Sequence, residues 1–133
     1  MTKQNDFSID WERGRSPAAL MAKLEGFEAV FFEKELPRAA EDIALRLERV
    51  AKELAPVGET GNLRAGIEGL SEKIAAHTVK AIVKDDVEYA PFQEFGTAIM
   101  DAQPFIRPAI EKNRKWIKER VKEAFNTAAD IVS

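Results

Sequence analysis

Residues 36–54 read LPRAAEDIALRLERVAKEL, and this stretch decides the architecture. Its apolar residues recur every three or four positions, at Leu36, Ala40, Ile43, Leu47, Val50 and Leu54. This spacing places them on one side of an α-helix and leaves the charged residues on the other side. We therefore predict an amphipathic helix of about 18 residues that packs on its own sheet and ends at Ala55-Pro56.

A second helical pattern precedes this one. Ser16 followed by Pro17 is typical of a helix N-cap with proline at the first helical position. Leu20, Leu24, Phe27 and Phe31 then follow at helical spacing. Because Pro37 lacks a backbone donor and its ring crowds the preceding turn, we expect a kink or a break there. Residues 1–15 are charged and show little periodicity, so we expect them to form a flexible arm.

The middle of the chain changes character. The run VGETGN at residues 57–62 is typical of a turn. Beyond it we predict a β-hairpin with strands at 63–70 and 74–84, a turn near 71–73, and His77 inside the second strand. An extended piece at 87–90 then leads to a short helix that begins near Pro91 and is stopped by Gly96.

The C-terminal segment predicts one more long helix. Pro104 and Pro108 fix an extended entry, and Pro108 suits the first turn of a helix of about 23 residues. Four of its basic residues recur at helical spacing, namely Arg114, Lys115, Lys118 and Lys122. The order of elements predicts a single α+β domain over residues 16–133, with a long N-terminal helix and a C-terminal helix packed on a small antiparallel sheet.

Composition and motifs exclude most catalytic and metal-binding classes. The 133 residues carry a net charge of −3 and include no cysteine, which excludes disulfide scaffolds, thiolate zinc sites and cysteine nucleophiles. The one histidine, His77, has no serine or aspartate at a triad spacing, and Gly58-Glu59-Thr60-Gly61 lacks the ending of a phosphate-binding loop. We expect a soluble intracellular protein that is not an enzyme, has no cofactor or metal, and does not contact a membrane.

Three segments carry a family resemblance. They read PV at 56–57 with TGNLR at 60–64, then YAPFQEFGT at 89–97, then AQPFIRPA at 102–109. In this order and spacing the chain resembles the tailed-phage (siphophage-type) neck, tail-completion or head–tail connector family, also described as minor tail components. The resemblance runs from about Leu36 to about Lys118. Two departures are an extra residue at Gly58-Glu59 and Gly66 at a position where serine is common.

The resemblance implies a structural virion protein, assembled in the bacterial host cytoplasm. Such a protein forms a homo-oligomeric ring at the head–tail junction, a hexamer or a dodecamer that matches a twelve-fold portal layer. Its neighbours would be head-completion or adaptor proteins and tail-tube or tail-terminator proteins. DNA would meet the ring only through non-specific contacts in its lumen.

The motif residues are interpreted as determinants of the fold and of subunit contacts, since none of them is placed for acid–base chemistry. They are Thr60, Gly61, Asn62, Leu63, Arg64, Tyr89, Glu94, Phe95, Gly96, Thr97, Gln103, Pro104, Phe105, Arg107 and Pro108. A further expectation is that subunit contacts draw on the basic face of the last helix and on the acidic first half of the chain. The acidic residues concerned are Glu25, Glu28, Glu33, Glu35, Glu41 and Asp42.

Two other function classes stay open on the sequence. The basic face of the last helix would suit a small nucleic-acid-binding regulator. The apolar stripe of residues 36–54 would suit a coiled-coil interaction protein, although two heptads fall short of the three or four that argue for one.

Overall fold

A continuous N-terminal helical segment forms the spine of the fold. The computed structural model describes residues 16–56 and 61–133. Helix α1 (Pro17–Val30) begins at Ser16, whose hydroxyl accepts a hydrogen bond from the Ala19 N–H at 3.1 Å. This confirms the predicted cap. A π-helical turn (Phe31–Glu35) then leads directly into α2 (Leu36–Leu54), which ends as predicted before Pro56.

The π-helical turn shows how the chain passes Pro37 without a break. The Leu36 N–H donates to the Phe31 carbonyl, five residues back instead of four. The wider turn moves the preceding carbonyls away from the proline ring, so the helix tolerates a residue that would otherwise end it. Of the two predicted outcomes, a kink or a break, the break is therefore wrong, and the helix shows a local distortion one turn before Pro37.

The hairpin begins and turns later than the sequence predicts, because Asn62–Ala65 form a short helix where the first strand was expected to begin. Strand β1 (Ile67–Ala75) pairs antiparallel with β2 (Thr78–Asp85), and the chain reverses at Ala76-His77. The predicted turn near 71–73 is wrong, because Ser71 lies within β1 and pairs with Ala81. His77 accordingly lies in the turn, not within a strand, and its ring packs on Phe32 at 4.4 Å between centroids.

The remaining elements are three short helices and one long C-terminal helix. Helix α3 (Asn62–Ala65) precedes the hairpin, α4 (Ala90–Phe95) follows it, and α5 (Ile106–Lys112) leads to α6 (Arg114–Val132). The predicted extended piece before α4 is wrong, since Val87–Tyr89 form a bend and turn. The predicted single C-terminal helix is divided at Asn113.

Helix α2 organises the packing. It contacts both strands of the hairpin, and α5 and α6 lie against it as well. The α+β prediction, with long N- and C-terminal helices and a small antiparallel sheet, is therefore confirmed. One core cluster forms around Phe105 and Ala51, and a second joins Phe31 and Ala39 to the buried alanines of α6.

Helix α2 meets β1 at Gly69. A Cβ atom at this position would overlap the backbone carbonyl of Ala44, whose carbon atom would lie 2.7 Å away. The Gly69 N–H also donates to Glu48 Oε1 at 3.0 Å. The helix and the hairpin can approach this closely because residue 69 has no side chain.

Gly69→Ala is expected to lower the free energy of unfolding by about 1–3 kcal/mol, because the new methyl group forces the hairpin away from α2. Gly26→Ala is the matched control, since its Cβ atom would meet only Val132 Cγ1 at 3.5 Å in a helix interior. That control is expected to be neutral or stabilising by about 0.4–1 kcal/mol. Equal stability of the two variants in urea unfolding would contradict the close approach.

Candidate functional site

The three sequence motifs meet in one core. Leu63 of the first motif, Ala90 of the second, and Phe105 and Ala109 of the third belong to the same buried cluster. Phe105 is fully buried and is the largest side chain so enclosed in the described part of the chain. Segments far apart in sequence therefore share one packing unit, which we call the motif unit.

Glu94 holds the motif unit together. Its Oε1 accepts hydrogen bonds from the backbone N–H groups of Phe105 at 3.0 Å and Ile106 at 2.9 Å. Its Oε2 accepts a third, from the Arg107 N–H at 3.0 Å. These donors begin α5, where backbone N–H groups have no partner within the helix. A carboxylate from α4 thus caps the next helix in the chain.

The pKa of Glu94 reflects this arrangement. Burial acts to raise the pKa, but the backbone N–H donors of Ile106, Phe105 and Arg107 and the Arg107 charge lower it by more. The net result is a pKa below the ordinary value of 4.5. The carboxylate is therefore held in its ionised form, as expected for a group that accepts several hydrogen bonds.

Gly96 gives the loop after α4 its direction. Its φ of 77° and ψ of 176° lie in a region that only glycine readily adopts. This confirms that glycine ends the short helix, although with an extended ψ and not the left-handed helical conformation. A Cβ atom at residue 96 would lie 2.9 Å from the Ala102 nitrogen and 3.0 Å from the Met100 oxygen.

The loop of residues 97–104, hereafter the α4–α5 loop, is closed by hydrogen bonds at both ends. The Thr97 N–H donates to the Met100 carbonyl at 2.8 Å, and the Gln103 N–H donates to the Gln93 carbonyl at 2.7 Å. The Thr97 hydroxyl accepts from the Ile99 N–H at 3.3 Å. These three hydrogen bonds define the path of the loop, whose residues 97–104 are all exposed.

A family profile described as "Bacteriophage HK97-gp10, putative tail-component" matches residues 18–96. The match covers more than half of the chain and contains the first motif and all of the second except Thr97. The chain belongs to this family of phage tail components. The third motif follows the matched region and is bound to it through Glu94. No curated protein and no solved structure matches the chain significantly.

Membership has two direct consequences. The protein is a component of the phage virion, as predicted from the resemblance. A structural family of this kind also points to a protein that is not an enzyme. Across residues 16–56 and 61–133, no group of three or more His, Asp or Glu side chains could hold a metal ion, and no helix is long and apolar enough to cross a membrane.

The other motif residues are either at helix starts or exposed on the surface. Gly61 has a φ of 66° and is the N-cap of α3, while Arg64 is exposed beside Arg49 and Lys52. Asn62 is the first residue of α3. Thr60 and the turn residues 57–59 lie outside the described residues. Tyr89, Thr97, Gln103 and Pro104 are exposed, and Pro108 lies in the first turn of α5 as predicted.

An open cavity lies beside the motif unit. Its volume is about 470 Å³, and its walls come from β2, α4 and α5. At its edge Phe95 is 68% exposed, with the Arg107 guanidinium 5.7 Å from the ring centroid. This cavity and Phe95 place the exposed part of the second and third motifs on one surface.

Asp85 forms a polar part of the cavity wall. Its Oδ1 accepts from the Val87 N–H at 3.0 Å, while its Oδ2 is buried with no hydrogen-bond partner among the described residues. Burial raises the pKa of Asp85, the Val87 N–H opposes this, and the neighbouring Asp86 charge adds to the rise. The Asp85 charge is thus poorly accommodated, in contrast to that of Glu94.

The predicted basic face is exposed, but part of it is already paired. Arg114 forms an ion pair with Glu111 at 2.9 Å, whereas Lys115, Lys118 and Lys122 have no ion pair within the described ranges. Trp116 does not belong to that face, because its ring packs under the Arg46 guanidinium at 4.4 Å.

Fewer of the predicted acidic residues are exposed and unpaired than the sequence suggests. Glu35 is 7% exposed, so it lies inside the fold and the expectation of a surface role for it is wrong. Glu33 pairs with Lys73 at 2.6 Å, and Asp42 pairs with Arg120 at 2.7 Å. Glu25, Glu28 and Glu41 are exposed and form no ion pair in the described part.

Asn113 is a structural residue that the sequence analysis missed. It is buried between α5 and α6, where its Nδ2 donates to the Ala109 carbonyl and its Oδ1 accepts from Arg46 Nε, both at 2.7 Å. The residue that separates α5 from α6 is therefore hydrogen-bonded to α2. An asparagine inside a helical pattern was the only local signal.

Glu94→Gln is expected to lower the free energy of unfolding near pH 7 by about 1–3 kcal/mol, since the amide NH₂ faces the Arg107 N–H and one acceptor is lost. Because the pKa of Glu94 is lowered in the folded state, its stabilisation is present above its ordinary pKa of 4.5 and is lost as the pH falls through the folded value. The difference between wild type and variant should therefore shrink in urea unfolding at about pH 3.

Glu111→Gln is the control, because Glu111 is exposed and pairs only with Arg114 on the surface. It should change stability little at either pH. If Glu94→Gln lowered the free energy of unfolding by the same amount at low and neutral pH, the ionised Glu94 would not be the cap of α5.

Proposed function

We propose that the protein is a tail-completion or neck protein of the head–tail junction. In this role it forms a homo-oligomeric ring that joins the tail to the head and lets DNA pass through its lumen. Membership in a phage tail-component family carries the proposal, together with the three motifs whose resemblance is to neck and connector proteins. A hexamer is the preferred stoichiometry, and a dodecamer is the other, matched to a twelve-fold portal.

The organisation of the motif unit supports a contact role. Its buried members, such as Phe105, fix the fold, whereas Tyr89, Phe95 and Thr97 are exposed on its surface. Exposed aromatic and apolar groups on a fixed frame are suited to protein–protein contact. We expect these exposed residues to meet other copies or the neighbouring head-completion, adaptor, tail-tube or tail-terminator proteins.

Charge provides a second set of contacts. Lys115, Lys118 and Lys122 are exposed on α6, and Glu25 and Glu28 are exposed on α1. Opposite charges on separate surfaces of one chain favour head-to-tail association, which forms a closed ring only when the rotation between subunits is right. We expect the ring to close on a preassembled neighbour, with residues 1–15 ordering as an arm on the domain of residues 16–133.

The basic face is better suited to guiding DNA than to gripping it. Lys115, Lys118 and Lys122 alternate along α6 with Glu119 and Glu123. The net charge available to neutralise phosphates is therefore small, and binding that depends on a few phosphate contacts is weak and sensitive to salt. This favours a non-specific lumen contact over the other candidate, a sequence-specific regulator.

Particles produced in the host without this protein test the proposal. We expect DNA-filled heads and complete tails that fail to join, because a junction ring is missing while both parts assemble separately. Expression of the wild-type chain in trans should restore joined particles. Loss of tails altogether would contradict a junction role and favour a part in tail assembly, and normal joined particles would contradict any essential role at the junction.

A further inference from the structure

The hairpin leaves one edge of β2 open beside an apolar groove. Within the described part of the chain the sheet has two strands, so the edge of β2 that faces away from β1 has no strand partner. A cavity of about 470 Å³ follows this edge. Four consecutive residues of β2, from Lys80 to Val83, line it and no residue of β1 does, so it lies along the edge of the strand. We call it the edge groove.

The chemistry of the edge groove suits an extended segment with apolar side chains. Among the described residues that line it, Lys80 alone is charged. Its walls away from β2 come from α2, α5 and α6, with the side chains of Ile43, Leu47, Ile110 and Ile117. The cavity at the edge of β1 is instead lined mostly by charged residues. An open strand edge next to apolar side chains is a template for a further strand.

The edge groove is distinct from the cavity beside the motif unit. The two share Val83 and Ile110, which lie where they meet. The acidic residues Asp85, Glu94 and Glu111 line that other cavity and not the edge groove. An occupant of the edge groove therefore meets apolar side chains and lysine, without those carboxylates in its walls.

A segment of this chain has the matching pattern. Although residues 1–15 show little periodicity over their length, residues 6–11 read DFSIDW. Their apolar residues fall at every second position, at Phe7, Ile9 and Trp11. In an extended strand these three would share one face, and the two aspartates of the segment would lie on the other.

The register of the hairpin shows which face of β2 bears positive charge. Gly69 packs on α2 and pairs with Val83, so Val83 and Ala81 lie on the face towards α2. Lys80 and Lys84 are exposed on the opposite face. On the β1 side, the residues opposite these two lysines are glutamates. The hairpin thus already pairs acidic residues with these lysines across one edge of β2.

Acidic residues of residues 6–11 would repeat that pairing on the open edge. Asp6 and Asp10 are four positions apart, as Lys80 and Lys84 are. A strand placed there with both aspartates opposite the lysines would turn its apolar face towards the edge groove, whether it ran parallel or antiparallel to β2. Opposite charges on directly facing residues stabilise strand pairs and fix their register.

The segment cannot reach the edge groove of its own copy. The helical path from α1 to α2 is extended, since α6 ends beside Gly26 and begins against α2. At about 1.5 Å per helical residue, Ser16 lies about 40 Å from Ile43 at the groove. An extended chain spans at most about 3.6 Å per residue, so Trp11 can lie no more than about 18 Å from Ser16. The groove of another copy is therefore the one it can fill.

We propose that residues 6–11 of one copy add as a strand to the open edge of β2 in the next copy, with Phe7, Ile9 and Trp11 in the edge groove. The inference rests on the proposed ring and specifies its subunit contact. Because the segment and the groove are separate parts of one chain, the contact is head-to-tail and each copy has two neighbours. Backbone hydrogen bonds along the strand edge supply affinity, and the apolar side chains supply specificity.

Cysteine cross-linking tests the contact, because the chain has no cysteine of its own. A tagged Ile9→Cys chain is mixed with an untagged Ala81→Cys chain at high concentration and oxidised. The matched control uses an untagged Ala75→Cys chain, which carries the same substitution at an exposed position of β1 outside the groove. Melting of each variant first confirms that it folds as the wild type does.

We expect at least about fivefold more tagged–untagged disulfide dimer in the first mixture than in the control, because docking raises the effective concentration of the two thiols. Equal yields would overturn the proposal. Lys80→Glu with Lys84→Glu in the Ala81→Cys chain should reduce the yield to the control level. Asp6→Lys with Asp10→Lys in the Ile9→Cys chain should then restore it. A yield that ignores both changes would overturn the strand register.

A single chain with both Ile9→Cys and Ala81→Cys tests which copy the segment meets. We expect disulfide products that form a ladder beyond the dimer at high concentration. An internal disulfide that predominates on dilution would overturn the contact between copies, since the segment would then reach its own groove. A product that stops at the dimer would overturn the head-to-tail arrangement in favour of a two-fold pair.

These outcomes are separate from those of the particle experiment. If heads and tails fail to join without the protein but the cross-link yields are equal, the junction role stands and the subunits meet through another surface. If the cross-link forms but particles join normally, the contact between copies stands and the junction role fails.

Discussion

The carboxylate of Glu94 is the interaction on which the motif unit depends. Helix α5 has only 7 residues, too few to be stable alone, so it needs both a cap and tertiary packing. Glu94 supplies the cap from α4, and the same three hydrogen bonds fix where Phe105 enters the core. The α4–α5 loop is closed as a consequence, since this contact joins Glu94 and Phe105, which flank the loop.

The rest of the fold keeps that unit in place through α2. Close approach at Gly69 sets the hairpin against α2, and β2 of the hairpin forms one wall of the cavity. On its other side α2 holds the junction of α5 and α6 through the hydrogen bond from Arg46 to Asn113. The positions of loop and cavity thus follow from one helix and two specific contacts to it.

The spacing of apolar residues in the sequence predicted the helices that pack through one apolar face. Helix α2 and the cap of α1 at Ser16 fall where the sequence places them, because spacing and capping chemistry are local properties. The hairpin turn was missed because Ala76-His77 has none of the usual turn residues. Its position depends instead on tertiary contacts, namely Gly69 against α2 and His77 on Phe32.

Only part of the candidate site could be predicted from the sequence, again because the rest depends on tertiary contacts. The motifs identified the family and included Glu94, Gly96 and Phe105, but nothing in a linear pattern shows that a glutamate on one helix caps another. The role of the buried Asn113 also depends on a neighbour distant in sequence, Arg46. The shape of the cavity is a property of the folded surface alone.

Cryo-electron microscopy of the intact particle, with this protein labelled, tests the central claim most directly. The account predicts a closed ring of copies at the head–tail junction, with each copy in contact with the next and DNA in the lumen. Copies found elsewhere along the tail, or at the junction without contact between one another, would contradict it.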